Sequence, residues 1–154
     1  MALASFDLMT PSIGTTSDGG VVRFPQWFWL NQGWSEQSAS ASLRGVSATV
    51  VARPVRALWQ PGDGSSFSCD NPGMVYGGPQ DAHLRPSCSH EFTRSSALEP
   101  GQRYRVTARV SFHMTWSSTD GTSGDLGIIT SPAGSASAAV GEIQAINVPN
   151  PGGP

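Results

Sequence analysis

Lysine is missing from this chain. All nine basic residues are arginine, a usage that fits GC-rich coding and carries no mechanism. Charge of either sign is scarce: charged residues make up 13% of the sequence and sum to a net −2, about half the ~25% usual for soluble domains. No five residues in a row share a sign, so the basic footprint of a nucleic-acid binder is lacking. The longest apolar run, WFWL at 27–30, is far short of the ~20 residues that span a bilayer. The opening MALASFDLMT has neither a basic start nor an apolar stretch, and no export signal is visible in it. Catalytic spacing patterns are absent as well. There is no G-x-S-x-G, no H-E-x-x-H, no C-x-x-C and no phosphate-cradling glycine loop. Spacing sets none of the 11 acidic residues apart as half of an acid–base pair. His83, His90 and His113 fall in a loop, a motif and an outward strand position. These absences predict no catalytic residue, no metal, no cofactor, no nucleic-acid partner and no membrane span.

What is present is a strand-forming core. Hydrophobic content of 38% with five tryptophans argues for packing rather than disorder, and 154 residues suit one domain. Helical periodicity is nearly absent. RYRVTARVSFHMTW (103–116) places Tyr104, Val106, Ala108, Val110, Phe112, Met114 and Trp116 on one face. Arg103, Arg105, Thr107, Arg109, Ser111, His113 and Thr115 take the other, as in a half-buried antiparallel strand. SASASLRGVSATVVAR (38–53) reads as two strands joined near Arg44-Gly45, with Val46, Ala48, Val50 and Ala52 inward. VRALWQ (55–60) reads as a further short strand, and STDGTSGD (118–125) as the turn of a hairpin. GEIQAINV (141–148) reads as a last strand with Ile143 and Ala145 on one face, and VVRFPQWFWLN (21–31) as an extended aromatic stretch. Short strands at intervals of roughly ten residues predict an all-β sandwich. The expected layout is one domain over 21–148, with a loose N-terminal segment (1–20) and a disordered Pro/Gly tail (149–154).

Cys69 and Cys88 are the only cysteines. They could form a disulfide, join His83 and His90 around a metal, or remain free thiols. Zinc sites pair ligands locally, as C-x2-4-C and H-x3-5-H, and these four residues do not, which favours the disulfide. A disulfide implies an oxidising compartment, and a loop of this size contributes about 3 kcal/mol on the chain-entropy view. The enclosed 70–87 segment holds three prolines and three glycines, too many breakers for helix or strand. It is expected to be a long surface loop stapled at its base.

LWQPGDGSSFSC (58–69) poses the functional question. Gly62-Asp63-Gly64 fits a turn between strands, where glycine tolerates positive φ and the aspartate accepts backbone N–H groups. Trp59 then belongs to the core and His90 is a packing residue. A calcium site at Asp63 would need further oxygen ligands that the local sequence does not supply. Trp27 and Trp29, at i and i+2, share a face of an extended segment. They either fill the core with Trp59 or form an exposed strip that stacks on sugars. Tyr76, between glycine-rich turns of the loop, is a further possible ligand contact.

Taken together, W-x-x-G-D-G-S (59–65), H-E-F (90–92) and P-G-Q-R-Y-R-V-T-A-R-V (100–110) resemble the polycystic-kidney-disease (PKD) repeat, an immunoglobulin-like β-sandwich. The likeness spans 50–116 and makes Trp59, Gly62, Asp63, Gly64, His90, Phe92 and Tyr104 structural motif positions. Gln60 and Pro61 depart from the family's Asp-Phe, and the stapled loop is long for a repeat. More narrowly, the chain resembles secreted or surface proteins of actinobacteria, in which a longer N-terminal region with the export signal precedes this point. The resemblance implies a non-catalytic interaction or spacer module, extracellular or at the cell surface. Its partners would be other surface or secreted proteins, or cell-wall or extracellular polysaccharide. The alternatives are a carbohydrate-binding module using exposed aromatics and, third, an unrecognised secreted hydrolase.

Overall fold

The protein, seen in a computed structural model, is described over residues 7–16, 20–81, 84, 86 and 88–142. The strands there are β1 (Ser12–Thr15), β2 (Gly20–Val21), β3 (Pro25–Gln32), β4 (Gln37–Leu43), β5 (Val46–Gln60) and β6 (Phe67–Cys69). They continue with β7 (Ser89–Glu91), β8 (Tyr104–Ser118), β9 (Ser123–Thr130), β10 (Gly134–Ala138) and β11 (Val140–Gly141). The protein is all-β.

The larger sheet is built on two long strands. β5 and β8 pair antiparallel from Ala48↔Ser118 to Gln60↔Thr107. Each outer edge consists of two shorter strands in line: β4 and β6 on β5, β9 and β10 on β8. Between β9 and β10 the ladder is carried by Ser131, whose N–H donates to Val110 O and whose Oγ accepts from Val110 N. A second antiparallel sheet, β1-β3-β7, lies over the larger one. β2 and β11 add a two-residue parallel pair.

The two sheets meet on the inward face of β8. Tyr104, Val106, Ala108, Val110, Phe112 and Met114 are all buried, as the alternation requires. Phe28 of β3 and Phe92 after β7 press from the smaller sheet against Trp59 and Ala57 of β5. At the other end Leu8, Leu30 and Trp34 cover Val50, Ala52, Phe112 and Met114.

Several expectations are corrected. Residues 46–53 and 55–60 are one strand, because a bulge between Pro54 and Arg56 absorbs the proline without ending the ladder. The Arg44-Gly45 turn does join β4 to β5, with φ of 55° and 79°, the geometry whose twist suits a two-residue hairpin. Val46, however, is 40% exposed: it shares a face with Val50, but the smaller sheet does not reach it. The 1–20 segment is not loose throughout, since Ser12–Thr15 is a paired strand and Leu8 packs on the core. Ile143, Ala145 and the 149–154 tail lie outside the described residues.

Val110 and its neighbour Arg109 test the register. Val110→Asp would bury an unpaired carboxylate between the sheets and should abolish folding. Arg109→Asp, on the outer face, should leave the melting temperature by circular dichroism within a few degrees of wild type. The reverse result would mean that the register is wrong by one residue.

Candidate functional site

The motif residues converge where β6 and β7 meet the start of β8. Gly62 and Gly64 have φ of 102° and 92°, and a Cβ on Gly62 would lie 2.5 Å from Arg105 O. The first glycine is therefore required twice, for its left-handed backbone and for its close approach to β8. Between the two, Asp63 bends inward. Its Oδ1 accepts the Ser65 N–H at 3.1 Å and the Ser65 hydroxyl, and its Oδ2 lies 2.7 Å from His90 Nε2. The side chains of His90 and Asp63 are only 17% and 11% exposed.

An aromatic series continues from this pair. The His90 ring stacks on Phe67, which stacks on Trp59, and meets Phe92 edge-on at 4.7 Å. Phe92 stacks on Tyr104 at 4.5 Å. The buried Tyr104 hydroxyl donates to the carbonyls of Arg94 and Ser95 at 2.7 and 3.1 Å, and the Arg94 guanidinium lies 5.6 Å from the centre of the ring. Burial raises the Tyr104 pKa, against the opposing pull of Arg94, so the phenol stays a donor. Trp59 has no exposed surface.

Cys69 and Cys88 are joined as a disulfide, with Cα atoms 5.8 Å apart. Their sulfurs are bonded to each other, which removes the metal alternative; His83 lies outside the described residues. The stapled loop does more than run over the surface. It lies on the outer face of β3: Pro72 O accepts the Leu30 N–H, Gly73 sits against the Phe28 and Trp29 backbone, and Tyr76 meets Trp27 edge-on at 5.0 Å. Trp27 and Trp29 are consequently 3% and 9% exposed. This corrects the sugar-stacking strip: Phe28 fills the space between the sheets, while on the opposite face the loop seals Trp27 and the Trp29 indole lies against Gly14 of β1. Tyr76, half-buried, is part of the seal.

Asp63, His90 and Ser65 invite comparison with a nucleophilic triad. In such a triad the carboxylate and the hydroxyl address opposite ring nitrogens. Here Asp63 takes Nε2, the same atom that lies 3.4 Å from Ser65 Oγ, while the Ser65 hydroxyl donates to Asp63. The ring cannot withdraw the serine proton along that path. What the arrangement can do is fasten the GDG turn to β7.

Ser65, Phe67 and Arg94 were missed from the sequence. The Asp-x-Ser spacing signals the first, since Asp side chains hold turns two residues on. Nothing local signals that Phe67 bridges Trp59 to His90, or that the Arg94 carbonyl receives the tyrosine hydroxyl. No protein-family model, curated protein or solved structure matches this chain.

The pair also sets an acid response. Burial pushes the Asp63 carboxyl upward, but hydrogen bonds from Ser65 and His90 outweigh it and hold the pKa below the ordinary 3.8. A carboxyl depressed in the folded state contributes stability that is present above the unfolded value and lost as pH falls through the folded one. Wild type should therefore lose stability between about pH 5 and pH 2, and Asp63→Asn should lose less over that range. Asp120, lowered by Thr122, and Asp125, lowered by the Gly127 N–H and His113, titrate in both proteins and cancel in the comparison. Parallel denaturant-midpoint curves for the two proteins would contradict it.

Proposed function

We propose that this chain is a PKD-like, immunoglobulin-like module of a secreted or surface protein, serving as a non-catalytic interaction or spacer unit. The observation that carries this reading is that the motif side chains able to do acid–base or nucleophilic chemistry at the GDG end, Asp63, Ser65, His90 and Tyr104, are all engaged in structural hydrogen bonds. Asp63 holds Ser65 and His90, the aromatics pack in series, and the Tyr104 hydroxyl is tied to a backbone carbonyl at the foot of its strand. A buried tyrosine at a strand start, bonded back to upstream backbone, is a hallmark of immunoglobulin-type sandwiches. The disulfide supports an oxidising, extracellular setting. Among the described residues no helix is long and apolar enough to cross a membrane.

A hydrolase built on Ser65, His90 and Asp63 is the reading to exclude by experiment. Incubated with ester, amide and glycoside substrates, the oxidised protein should give no turnover above buffer. His90→Ala should change the melting temperature and not the rate. Turnover lost in His90→Ala while the variant stays folded would overturn the proposal.

A further inference from the structure

The larger sheet shares its charge unevenly. Its six strands hold four arginines, Arg53, Arg56, Arg105 and Arg109, and one carboxylate, Asp125. Arg53 is paired with Glu36 at 3.0 Å and Asp125 with His113 at 2.7 Å. Arg56, Arg105 and Arg109 are exposed, and among the described residues none of them forms an ion pair. All three point away from the core. Arg109 stands opposite Leu58 and Arg56 opposite Ser111, so the two are diagonal neighbours. Arg105 lies two same-face steps along β8, about 13 Å from Arg109 at the usual rise of a strand. An acidic chain of net −2 thus assembles a basic face that no run in its sequence announces.

A groove of about 510 Å³ opens on this face, lined by Leu58, Gln60, Ser66, Ser68, Thr107 and Arg109 together with the aromatics Trp59 and Phe67. The Arg109 guanidinium donates to Ser131 O at 3.4 Å, which steadies it over the sheet. Guanidinium groups match carboxylate, sulfate and phosphate in pairs of parallel hydrogen bonds, and short hydroxyls and a primary amide both donate and accept, as sugar hydroxyls do.

We propose that this outer face binds an anionic polysaccharide. Acidic groups on successive sugar units lie against Arg105, Arg109 and Arg56. The hydroxyls of Ser66, Ser68 and Thr107 and the Gln60 amide meet ring hydroxyls, and Leu58 takes an apolar ring face. An acidic peptide fits less well. Peptides dock by adding to an open strand edge or by sinking an anchor side chain into an apolar pocket. Here the groove lies over β6, β5 and β8, where β5 is paired on both sides, and five of its eight lining residues are polar or charged. The proposal rests on the reading of the chain as a non-catalytic interaction module and gives that module a ligand.

Affinity electrophoresis of the full, oxidised chain tests it, with polygalacturonate and dextran sulfate as carboxylate and sulfate probes and neutral dextran as control. Retardation by one or both acidic polymers, none by dextran, and loss on raising salt to about 0.5 M are expected. The double variant Arg105→Ala/Arg109→Ala should bind at least about tenfold more weakly. Arg105→Lys/Arg109→Lys should keep part of the affinity, and Arg44→Ala, at the β4–β5 hairpin tip, all of it. Matching circular dichroism melts exclude unfolding as the cause of a loss, and the lysine pair stands in should the alanine pair fail to fold. Undiminished binding by the double variant overturns the proposal, as does equal retardation by dextran or the absence of any. Binding to poly-glutamate or a DNA duplex as tight as to the polysaccharides overturns it too, leaving a general polyanion surface. Any of these results leaves the turnover test of the module reading intact, because that test reads hydrolysis and not retention.

Discussion

The strict alternation of side chains along β8 is the constraint on which the rest of this molecule depends. β8 pairs with β5 on one side and with β9 and β10 on the other, so its register fixes theirs. Its inward residues, from Tyr104 to Met114, give the smaller sheet a surface to lie on. Its outward residues set the arginines of the opposite face. Core and charged surface are thus two readings of one strand, and neither could shift without exchanging with the other.

Two fasteners hold the end where the loops gather. One is polar: Asp63 reaches from the GDG turn to His90 and ties β7 to the turn that precedes β6. The other is covalent: Cys69 and Cys88 close the loop that lies on β3. Their positions explain a sandwich with buried aromatics on both faces of one strand. Phe28 looks inward to Trp59, and Trp27 and Trp29 look outward toward the stapled loop, whose described residues hold one short 3-10 turn, Pro79–Asp81. Among its described residues the loop has no strand pairing, and the disulfide and the contacts with β3 hold it in place.

How much of this was legible follows from what kind of information each feature needs. The inward face of 104–114 was readable because period-two alternation is local. Whether a face is covered is not local: Val46 and Val50 carry the same pattern, yet only Val50 lies beneath Leu30 and Trp34. Pro54 reads as a strand end in isolation, and only the pairing of β5 with β8 shows the bulge that accommodates it. Trp27 and Trp29 could be placed on one face but not told apart from a binding strip, because their cover is non-local: Tyr76 and Gly73 of the stapled loop, and Gly14 of β1 against the Trp29 indole. The GDG turn was readable from its glycines; its bond to His90, 27 residues on, was not. The arginine face is an intermediate case. Arg105 and Arg109 are visible on one face of their strand, but Arg56 joins them only through the register of a bulged neighbour.

The short pair of β2 and β11 has a mechanical consequence. These strands run parallel, Val140 beside Gly20 and Gly141 beside Val21. The chain therefore enters β2 at one end of the pair and leaves β11 at the other. Tension drawn through Gly20 and Gly141 in opposite senses slides the strands lengthwise past each other. The bonds Gly20 N–H to Ala139 O and Val22 N–H to Gly141 O are then stretched together, in shear, whereas an antiparallel hairpin would open one bond at a time like a zipper. A pull arriving from the N-terminal side loads β1, held antiparallel to β3, before it reaches β2, and this clasp comes under load after it.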